Sequence, residues 1–148
     1  MKLFISISII LTLSIMIGCT KLPYLGEGYR LDYSGRGNYI LVDNYQNTVV
    51  IGDHILAYDF DSTFIVVAQR PRDSVPECLY LKGEKFKDCE KAFKKSTFRQ
   101  YWIINKRKQL IFDEKTKTYS NVYGPYNKEK YLEKLKKFNI NKKFILKE

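Results

Sequence analysis

The hydrophobic and polar positions of this chain follow three different patterns. Residues 3–17 form an almost continuous apolar segment. After residue 28, short apolar runs alternate with turn residues, which is typical of β-strands. Two further stretches carry apolar residues at every third or fourth position, which predicts amphipathic helices.

The short apolar runs predict strands at 29–33, 39–42, 48–51, 54–58, 63–69, 99–105 and 109–113. The first two enclose Ser34 and Gly35 and are typical of a hairpin. The run 109–113 is predicted to pair back on 99–105. Residues 64–68 are apolar without interruption, so we expect a central strand that is buried on both faces.

The helical spacing occurs at 84–95, with Phe86, Cys89 and Phe93 on one face, and again after Asn127. Asn127 is a favourable N-cap, and Asn139 suits the left-handed position at the end of a helix. Gly124 and Pro125 are predicted to stop the sheet pattern, and 144–146 to form a closing edge strand. The pattern therefore predicts an α+β fold with a largely antiparallel β-sheet of about five to eight strands and two short helices.

The N-terminal apolar segment follows Lys2 and ends just before Gly18 and Cys19. It is shorter than the ~20 apolar residues of a membrane span, and it is typical of a secretory signal. Residues 16–19, Met-Ile-Gly-Cys, resemble the box that bacterial lipoprotein signal peptidase cleaves. The resemblance implies a signal peptide at 1–18 and a lipidated Cys19. Pro23, Gly26 and Gly28 discourage regular structure, so 19–28 is predicted to be a lipidated tether. The remaining length predicts a single domain at 29–148.

Such processing implies a lipid anchor, a palmitate-type acylation on Cys19, in the cell membrane or outer membrane, facing the periplasm. Each buried methylene of an acyl chain contributes about 0.8 kcal/mol to membrane binding. The expected partner is then the membrane itself, through Cys19.

Composition and charge narrow the class of protein. Of 148 residues, 45% are hydrophobic and 15% aromatic, which argues against disorder. The net charge is +10, and residues 106–148 hold 13 Lys and Arg against 5 Asp and Glu. This basic third favours an anionic lipid surface, an anionic glycan or an acidic protein as partner, or it is a solvated lysine-rich face. Nucleic acid is not an expected partner outside the cytoplasm.

Cysteine usage leaves one pair in the mature chain. Cys19 is assigned to the lipid, so Cys78 and Cys89 remain. A compartment outside the cytoplasm permits a disulfide between them, and the bridge would contribute roughly 3 kcal/mol on the chain-entropy argument. The alternative is two reduced, buried thiols.

Three segments together resemble a family of small uncharacterised bacterial lipoproteins, a domain of unknown function. They are residues 58–71, residues 101–106 (Tyr-Trp-Ile-Ile-Asn-Lys) and residues 122–125 (Val-Tyr-Gly-Pro) before a helix. The similarity covers roughly residues 29–146. This chain has a longer 106–121 segment than the family pattern. The resemblance implies no catalytic residue, binding residue or cofactor.

Little catalytic chemistry is visible in the residues. His54 is the only histidine, which argues against a metal site and against a Ser-His-Asp triad. Asp59 and Asp61 are a carboxylate pair, but turn aspartates usually bind backbone amides. Asp-Ser-Thr and Asp-Ser-Val tripeptides at Ser62 and Ser74 resemble O-glycosylation acceptors of some bacterial envelopes.

The remaining candidate is a binding surface in the basic third. Tyrosine offers rigid contact area and lysine long-range attraction, although the tyrosines alternatively belong to the core. The first hypothesis is a non-enzymatic binding or interaction module. The alternatives are a periplasmic hydrolase using carboxylates, or an envelope enzyme inhibitor or immunity-type protein acting through the 114–121 loop. The candidate binding residues are Lys115, Lys117, Tyr119, Tyr123, Tyr126 and Lys128.

Overall fold

The computed structural model describes residues 22–35, 38–78, 85–141 and 146. The predicted signal peptide and Cys19 lie outside these residues. The described part contains ten strands and two helices. The strands are β1 (Tyr24–Gly26), β2 (Tyr29–Gly35), β3 (Asn38–Asp43), β4 (Thr48–Ile51), β5 (Ile55–Phe60), β6 (Phe64–Gln69), β7 (Gln100–Asn105), β8 (Phe112–Asp113), β9 (Thr118–Tyr119) and β10 (Val122–Tyr126); the helices are α1 (Lys85–Lys95) and α2 (Lys128–Lys137).

The strands form two four-stranded sheets and one two-stranded sheet. The first sheet has the order β1-β2-β3-β4, the second β10-β7-β6-β5, and β8 pairs with β9. Every pairing is antiparallel. The predicted α+β class, the antiparallel pairing and the two short helices are confirmed. The strands are divided among separate sheets because one sheet alone would leave an apolar face of β6 and β7 in water.

The second sheet is buried on both faces. Side chains alternate across a strand, so Ile65 and Val67 of β6 face the first sheet, where they pack against Leu31 and Leu41. The opposite face carries Val66 and, on neighbouring positions, Ala68, Tyr101 and Ile103, which pack against α2. Because β6 lies between β5 and β7 and its residues 65–69 are buried, the prediction of a central, doubly covered strand is confirmed.

Helix α2 begins and ends as the sequence predicts. The Oδ1 atom of Asn127 accepts a hydrogen bond from the backbone N–H of Lys130 at 2.9 Å, which satisfies one of the free amides of the first turn. Asn139 has φ 55°, and the N–H of Ile140 donates to the carbonyl of Leu135 at 2.9 Å. Burial of Tyr131 fixes the helix against the second sheet. Its ring stacks on that of Tyr101 with centroids 4.8 Å apart.

Helix α1 packs on a separate small cluster at the end of the second sheet. Two 3-10 turns, Arg72–Ser74 and Pro76–Cys78, follow β6. A disulfide joins Cys78 of the second turn to Cys89 of α1, with Cα atoms 4.7 Å apart. Val75 and both cysteines are buried there, with Phe93 packed against them. The sequence left open a disulfide or two reduced, buried thiols, and the structure contains the disulfide.

The pairing predicted for 109–113 is wrong. Both edges of β7 are already occupied, since Ile103 pairs with Val66 of β6 on one side and with Tyr123 of β10 on the other. Within the segment only Phe112–Asp113 is a strand, and it pairs with Thr118–Tyr119.

The prediction that Gly124 and Pro125 end the sheet is also wrong. Strand β10 continues through them, and its register shifts between Tyr123 and Tyr126 to absorb the irregularity. Gly124 has φ 139°, and a Cβ there would lie 2.7 Å from the carbonyl oxygen of Tyr101. The close approach of the two strands therefore requires glycine.

Two end segments differ from the prediction or fall outside the described chain. Part of the predicted tether 19–28 forms β1, and its Leu25 is fully buried between the sheets, because an apolar side chain at this position fills the core. Of the predicted edge strand 144–146, residues 144 and 145 lie outside the described residues. Leu146 packs against the cluster beneath α2.

Candidate functional site

A cavity of about 530 Å³ lies where α1, β7 and the start of α2 meet. Five of its lining side chains are basic, two carry hydroxyl groups, and the remaining one is a tyrosine. We call it the basic cavity; its lining residues are Arg70, Lys94, Lys95, Ser96, Thr97, Arg99, Tyr101 and Lys128.

Three elements bring the basic residues together. Arg70 directly follows β6, whereas Lys94 and Lys95 end α1. Residues 96–99 connect α1 to β7, so they pass the cavity on their way back to the sheet. The Asn127 cap starts α2 at Lys128 on the remaining side. Cations at the end of a helix are also favoured by its dipole, so Lys94 and Lys95 suit their helix as well as the cavity.

Arg70 is held rigidly at the edge of the basic cavity. Its Nε donates to the carbonyl of Phe98 at 3.1 Å, and its Nη1 donates to the carbonyl of Phe93 at 3.0 Å. The guanidinium also lies 5.5 Å from the centroid of the Phe93 ring, a cation–π distance. Backbone carbonyls thus fix the plane of the guanidinium without neutralising its charge.

Four of the cavity's cations carry charge that no described carboxylate pairs with. Burial, followed by the nearby charge of Arg99, lowers the pKa of the Arg70 guanidinium from its usual value, yet an arginine stays protonated at neutral pH. Among the described residues, no carboxylate forms an ion pair with Arg70, Arg99, Lys94 or Lys95. Like charges this close repel one another, and an anion would relieve that repulsion.

Arg72, only two residues after Arg70, is neutralised instead. Its Nη2 forms an ion pair with the carboxylate of Glu90. Its Nε donates to Nε2 of His54 at 3.1 Å, and its Nη1 contacts Sγ of Cys89 at 3.2 Å. This cluster of Arg72, His54, Glu90 and Cys89, which we call the arginine clamp, attaches α1 to the sheet.

His54 is part of the arginine clamp rather than of a catalytic arrangement. It is only 7% exposed. Its ring packs on Phe93 with centroids 4.6 Å apart, and burial, followed by the charge of Arg72, lowers its pKa. The burial arises because α1 covers the loop between β4 and β5.

The candidate carboxylates bind backbone amides. Oδ1 of Asp61 accepts from the N–H groups of Thr63 and Phe64 at 2.6 and 2.7 Å. Oδ1 of Asp59 accepts from the N–H of Phe60 at 2.8 Å. The turn role that the sequence favours for Asp61 is confirmed. Among the described residues, no group of three or more His, Cys, Asp and Glu side chains could hold a metal ion.

The predicted binding residues are split between three places. Tyr119, Lys115 and Lys117 lie on the exposed hairpin formed by β8 and β9, where the Tyr119 ring lies 5.2 Å from that of Phe112. The side chains of Tyr123 and Tyr126 pack partly buried against the cluster beneath α2. Lys128 alone lines the basic cavity.

Sequence reasoning missed the other cations of the basic cavity. Arg70 lies just after the predicted strand 63–69, Arg99 begins the predicted strand 99–105, and Lys94 and Lys95 lie on the polar face of the predicted helix 84–95. One signal was present: residues 94–99, Lys-Lys-Ser-Thr-Phe-Arg, hold three basic and two hydroxyl side chains among six residues. Such a run beside a predicted strand end is a candidate anion site.

A second cavity, of about 500 Å³, shares Lys95 and Ser96 with the basic cavity. We call it the adjoining cavity. Val75, Pro76 and Ala92 give it an apolar wall, and Ser74, Asp88 and Lys91 complete its lining. The two cavities therefore lie side by side around the C-terminal end of α1.

Fold and site together define an α+β protein with two packed antiparallel sheets and a basic cavity beside a disulfide-linked helix. The chain belongs to the family described as "Protein of unknown function (DUF3997)", which matches residues 27–148. The predicted membership of a domain family of unknown function is thereby confirmed. No curated protein and no solved structure matches the chain.

Within the described residues, neither helix has the length and apolar character that a bilayer span requires.

Proposed function

We propose that this chain is a lipid-anchored, non-enzymatic protein of the cell envelope that binds an anionic ligand in the basic cavity. The observation that carries the proposal is the convergence of five basic side chains on one cavity of about 530 Å³. Positive charge in a concave site concentrates field lines and attracts anions.

Two observations support a location in the cell envelope: the N-terminal segment and the disulfide. Residues 1–19 have the basic start, short apolar run and Gly18-Cys19 ending of a lipoprotein signal. The disulfide between Cys78 and Cys89 supports this location, since disulfides persist in oxidising compartments. Metabolic labelling with palmitate should mark the wild-type chain and leave Cys19→Ser unmarked. Equal labelling of the two would overturn the anchor.

Binding is favoured over catalysis by what the candidate catalytic groups already do. The carboxylates of Asp59 and Asp61 accept backbone hydrogen bonds, and Nε2 of His54 accepts from Arg72. These contacts use the groups to shape turns and to attach α1. The basic cavity, by contrast, offers donors and positive charge, which suit recognition of an anion.

The test of the binding site compares two charge reversals of equal size. Lys94→Glu with Arg99→Glu changes the basic cavity, and Lys115→Glu with Lys117→Glu changes the exposed hairpin. Both pairs alter the net charge equally. On immobilised heparin, a polyanion without phosphate, the cavity variant should elute at clearly lower salt than the wild-type chain. The hairpin variant should elute close to the wild-type position.

Two outcomes would contradict this site. Equal shifts for the two variants would mean that net charge alone governs retention. A shift confined to the hairpin variant would move the site to Lys115, Lys117 and Tyr119.

A further inference from the structure

We infer that the basic cavity is a phosphate site and that its ligand is a phosphate ester, whose organic part lies in the adjoining cavity. This inference rests on the proposed function, because it names the class of anion that the same cavity takes.

The donors that line the basic cavity suit the oxygens of a phosphate. Nε and one N–H of Nη1 of Arg70 bind carbonyls, and its other N–H groups have no acceptor among the described residues. A guanidinium fixed in this way presents a planar fork, which matches two oxygens of a phosphate. Ser96 and Thr97 add hydroxyl donors to the same wall.

The charge of the basic cavity favours a phosphate monoester. A carboxylate carries one negative charge, whereas a phosphate monoester carries between about 1.5 and 2 at neutral pH. Five cations line the basic cavity, and burial, followed by the charge of Arg99, lowers the pKa of Arg70. A ligand with more charge and more acceptor oxygens relieves this crowding of like charges better than a single carboxylate does.

The size of the two cavities suits an ester better than a free phosphate ion. The basic cavity alone, about 530 Å³, exceeds the space of one inorganic ion, and the adjoining cavity adds about 500 Å³ on the other side of Lys95 and Ser96. The adjoining cavity has an apolar wall that includes Val75 and Ala92. An ester can place its phosphate beside Arg70 and Arg99 and extend its organic group past Ser96.

Two sources supply phosphate monoesters of this kind: the headgroup of a phospholipid such as phosphatidic acid, and a soluble phosphate monoester. Their shared chemistry is a phosphate monoester of a glycerol-like alcohol. The experiment therefore uses simple probes that separate phosphate from carboxylate, ester from free phosphate, and lipid from soluble ligand.

Calorimetric titration uses the full chain in a non-ionic detergent. The probes are glycerol phosphate, inorganic phosphate and glycerate, a monocarboxylate, at equal ionic strength. We expect glycerol phosphate to bind most tightly and glycerate most weakly. Arg99→Gln and Lys94→Gln should each weaken glycerol phosphate binding by about tenfold, which corresponds to loss of one charge-assisted contact of roughly 1.4 kcal/mol. Lys115→Gln on the exposed hairpin is the matched control and should bind as the wild-type chain does.

Repeating the titration in micelles doped with phosphatidic acid, whose headgroup is a phosphate monoester, distinguishes the two sources. Loss of glycerol phosphate binding in the doped micelles identifies the lipid headgroup as a competitor for the same cavity. Unchanged binding identifies a soluble ester. Either result supports the phosphate ester.

Other outcomes overturn the inference in distinguishable ways. Glycerate binding as tightly as glycerol phosphate would refute the phosphate selectivity while leaving the anion proposal intact. Inorganic phosphate binding as tightly as the ester would refute the role of the adjoining cavity. Heparin retention that depends on the cavity, without binding of either phosphate probe, would refute the inference alone. Absence of both would refute the proposed function too.

Discussion

Arg70 and Arg72 stand on either side of one proline, and both lie over the ring of Phe93, at 5.5 and 5.2 Å from its centroid. Arg72 contacts side chains: the carboxylate of Glu90, the imidazole of His54 and the sulfur of Cys89. Among the described residues, Arg70 donates hydrogen bonds only to backbone carbonyls. One arginine is therefore neutralised inside a structural cluster, and the other keeps its charge at the edge of a basic cavity.

The groups that contact an arginine side chain, rather than the residue type, decide whether its charge is neutralised or remains available. A guanidinium that meets a carboxylate contributes to stability as part of a pair. A guanidinium fixed by carbonyls keeps its full charge and is available to a ligand. The arginine clamp and the basic cavity are consequently expected to respond in opposite ways to substitution, since one supports the fold and the other supports binding.

The largest expected loss of stability comes from removing the disulfide at Cys89 of the arginine clamp. Replacing both Cys78 and Cys89 by serine removes a bridge between residues 11 apart in sequence, and the free energy of unfolding should fall by about 3 kcal/mol. Urea unfolding of the non-reduced proteins measures the difference. Cys19→Ser is the control and should unfold as the wild-type chain does. A double variant as stable as the wild type would show that the other clamp contacts suffice.

A second substitution separates the two arginines directly. Arg72→Gln should lower the free energy of unfolding by about 2 kcal/mol, because it removes charge-assisted hydrogen bonds in a partly buried cluster. Glu90→Gln should cost a comparable amount. The double variant should cost clearly less than the two single changes added together, since both remove the same interaction. Full additivity would mean that the pair is not coupled.

A smaller effect concerns pH and His54, the only histidine of the chain. Burial and Arg72 lower its pKa in the folded state, so the unfolded chain binds the proton more readily. Its contribution is therefore fully present above the unfolded pKa of about 6.5 and is lost as the pH falls through that value towards the folded pKa.

Thermal unfolding between pH 7.5 and 5.5 tests this direction. The melting temperature of the wild-type chain should decrease as the pH falls over that interval. His54→Asn removes the titration and tolerates the positive φ of 66° at this position. Its melting temperature should vary less over the same interval, and an equal slope for both proteins would assign the pH dependence to other groups.

The smallest expected change in stability belongs to the basic cavity. Arg99→Gln should alter the free energy of unfolding by no more than about 0.5 kcal/mol, and in the stabilising direction, because it removes repulsion with Arg70. In the wild-type chain, added glycerol phosphate should raise the melting temperature through mass action, and Arg99→Gln should reduce that rise. Arg72→Gln should show the opposite combination: lower stability with the ligand response retained. A large loss of stability in Arg99→Gln would place Arg99 among the structural residues.

Much of the fold was predictable because its signals are local. The uninterrupted apolar run at 64–68 indicated β6 and its burial on both faces, and the spacing of Tyr131 and Leu135 indicated the buried face of α2. Asn127 indicated where that helix begins. Each of these depends on residues within one strand or one helical turn.

The errors came where a distant strand competed for the same partner. Segment 109–113 has a strand-like pattern, but it does not pair with β7. Strand β10 occupies that edge of β7, even though Gly124 and Pro125 interrupt the strand-like pattern of β10. The candidate site was not predicted because its residues come from separate elements that meet only in the folded chain. Of the predicted binding residues only Lys128 lines the basic cavity, and Tyr123 and Tyr126 pack on the cluster beneath α2.

By itself, the sequence determined the periodicity of the strands and helices, the excess of positive charge and the cysteine pair available for a bridge, since these properties belong to single residues and near neighbours. Only the tertiary structure decided that Arg70 borders a cavity while Arg72 meets Glu90, and that α1 buries His54. Those outcomes depend on contacts such as the one between Arg70 and Phe98, 28 residues apart, which form only when the strands and α1 have packed together.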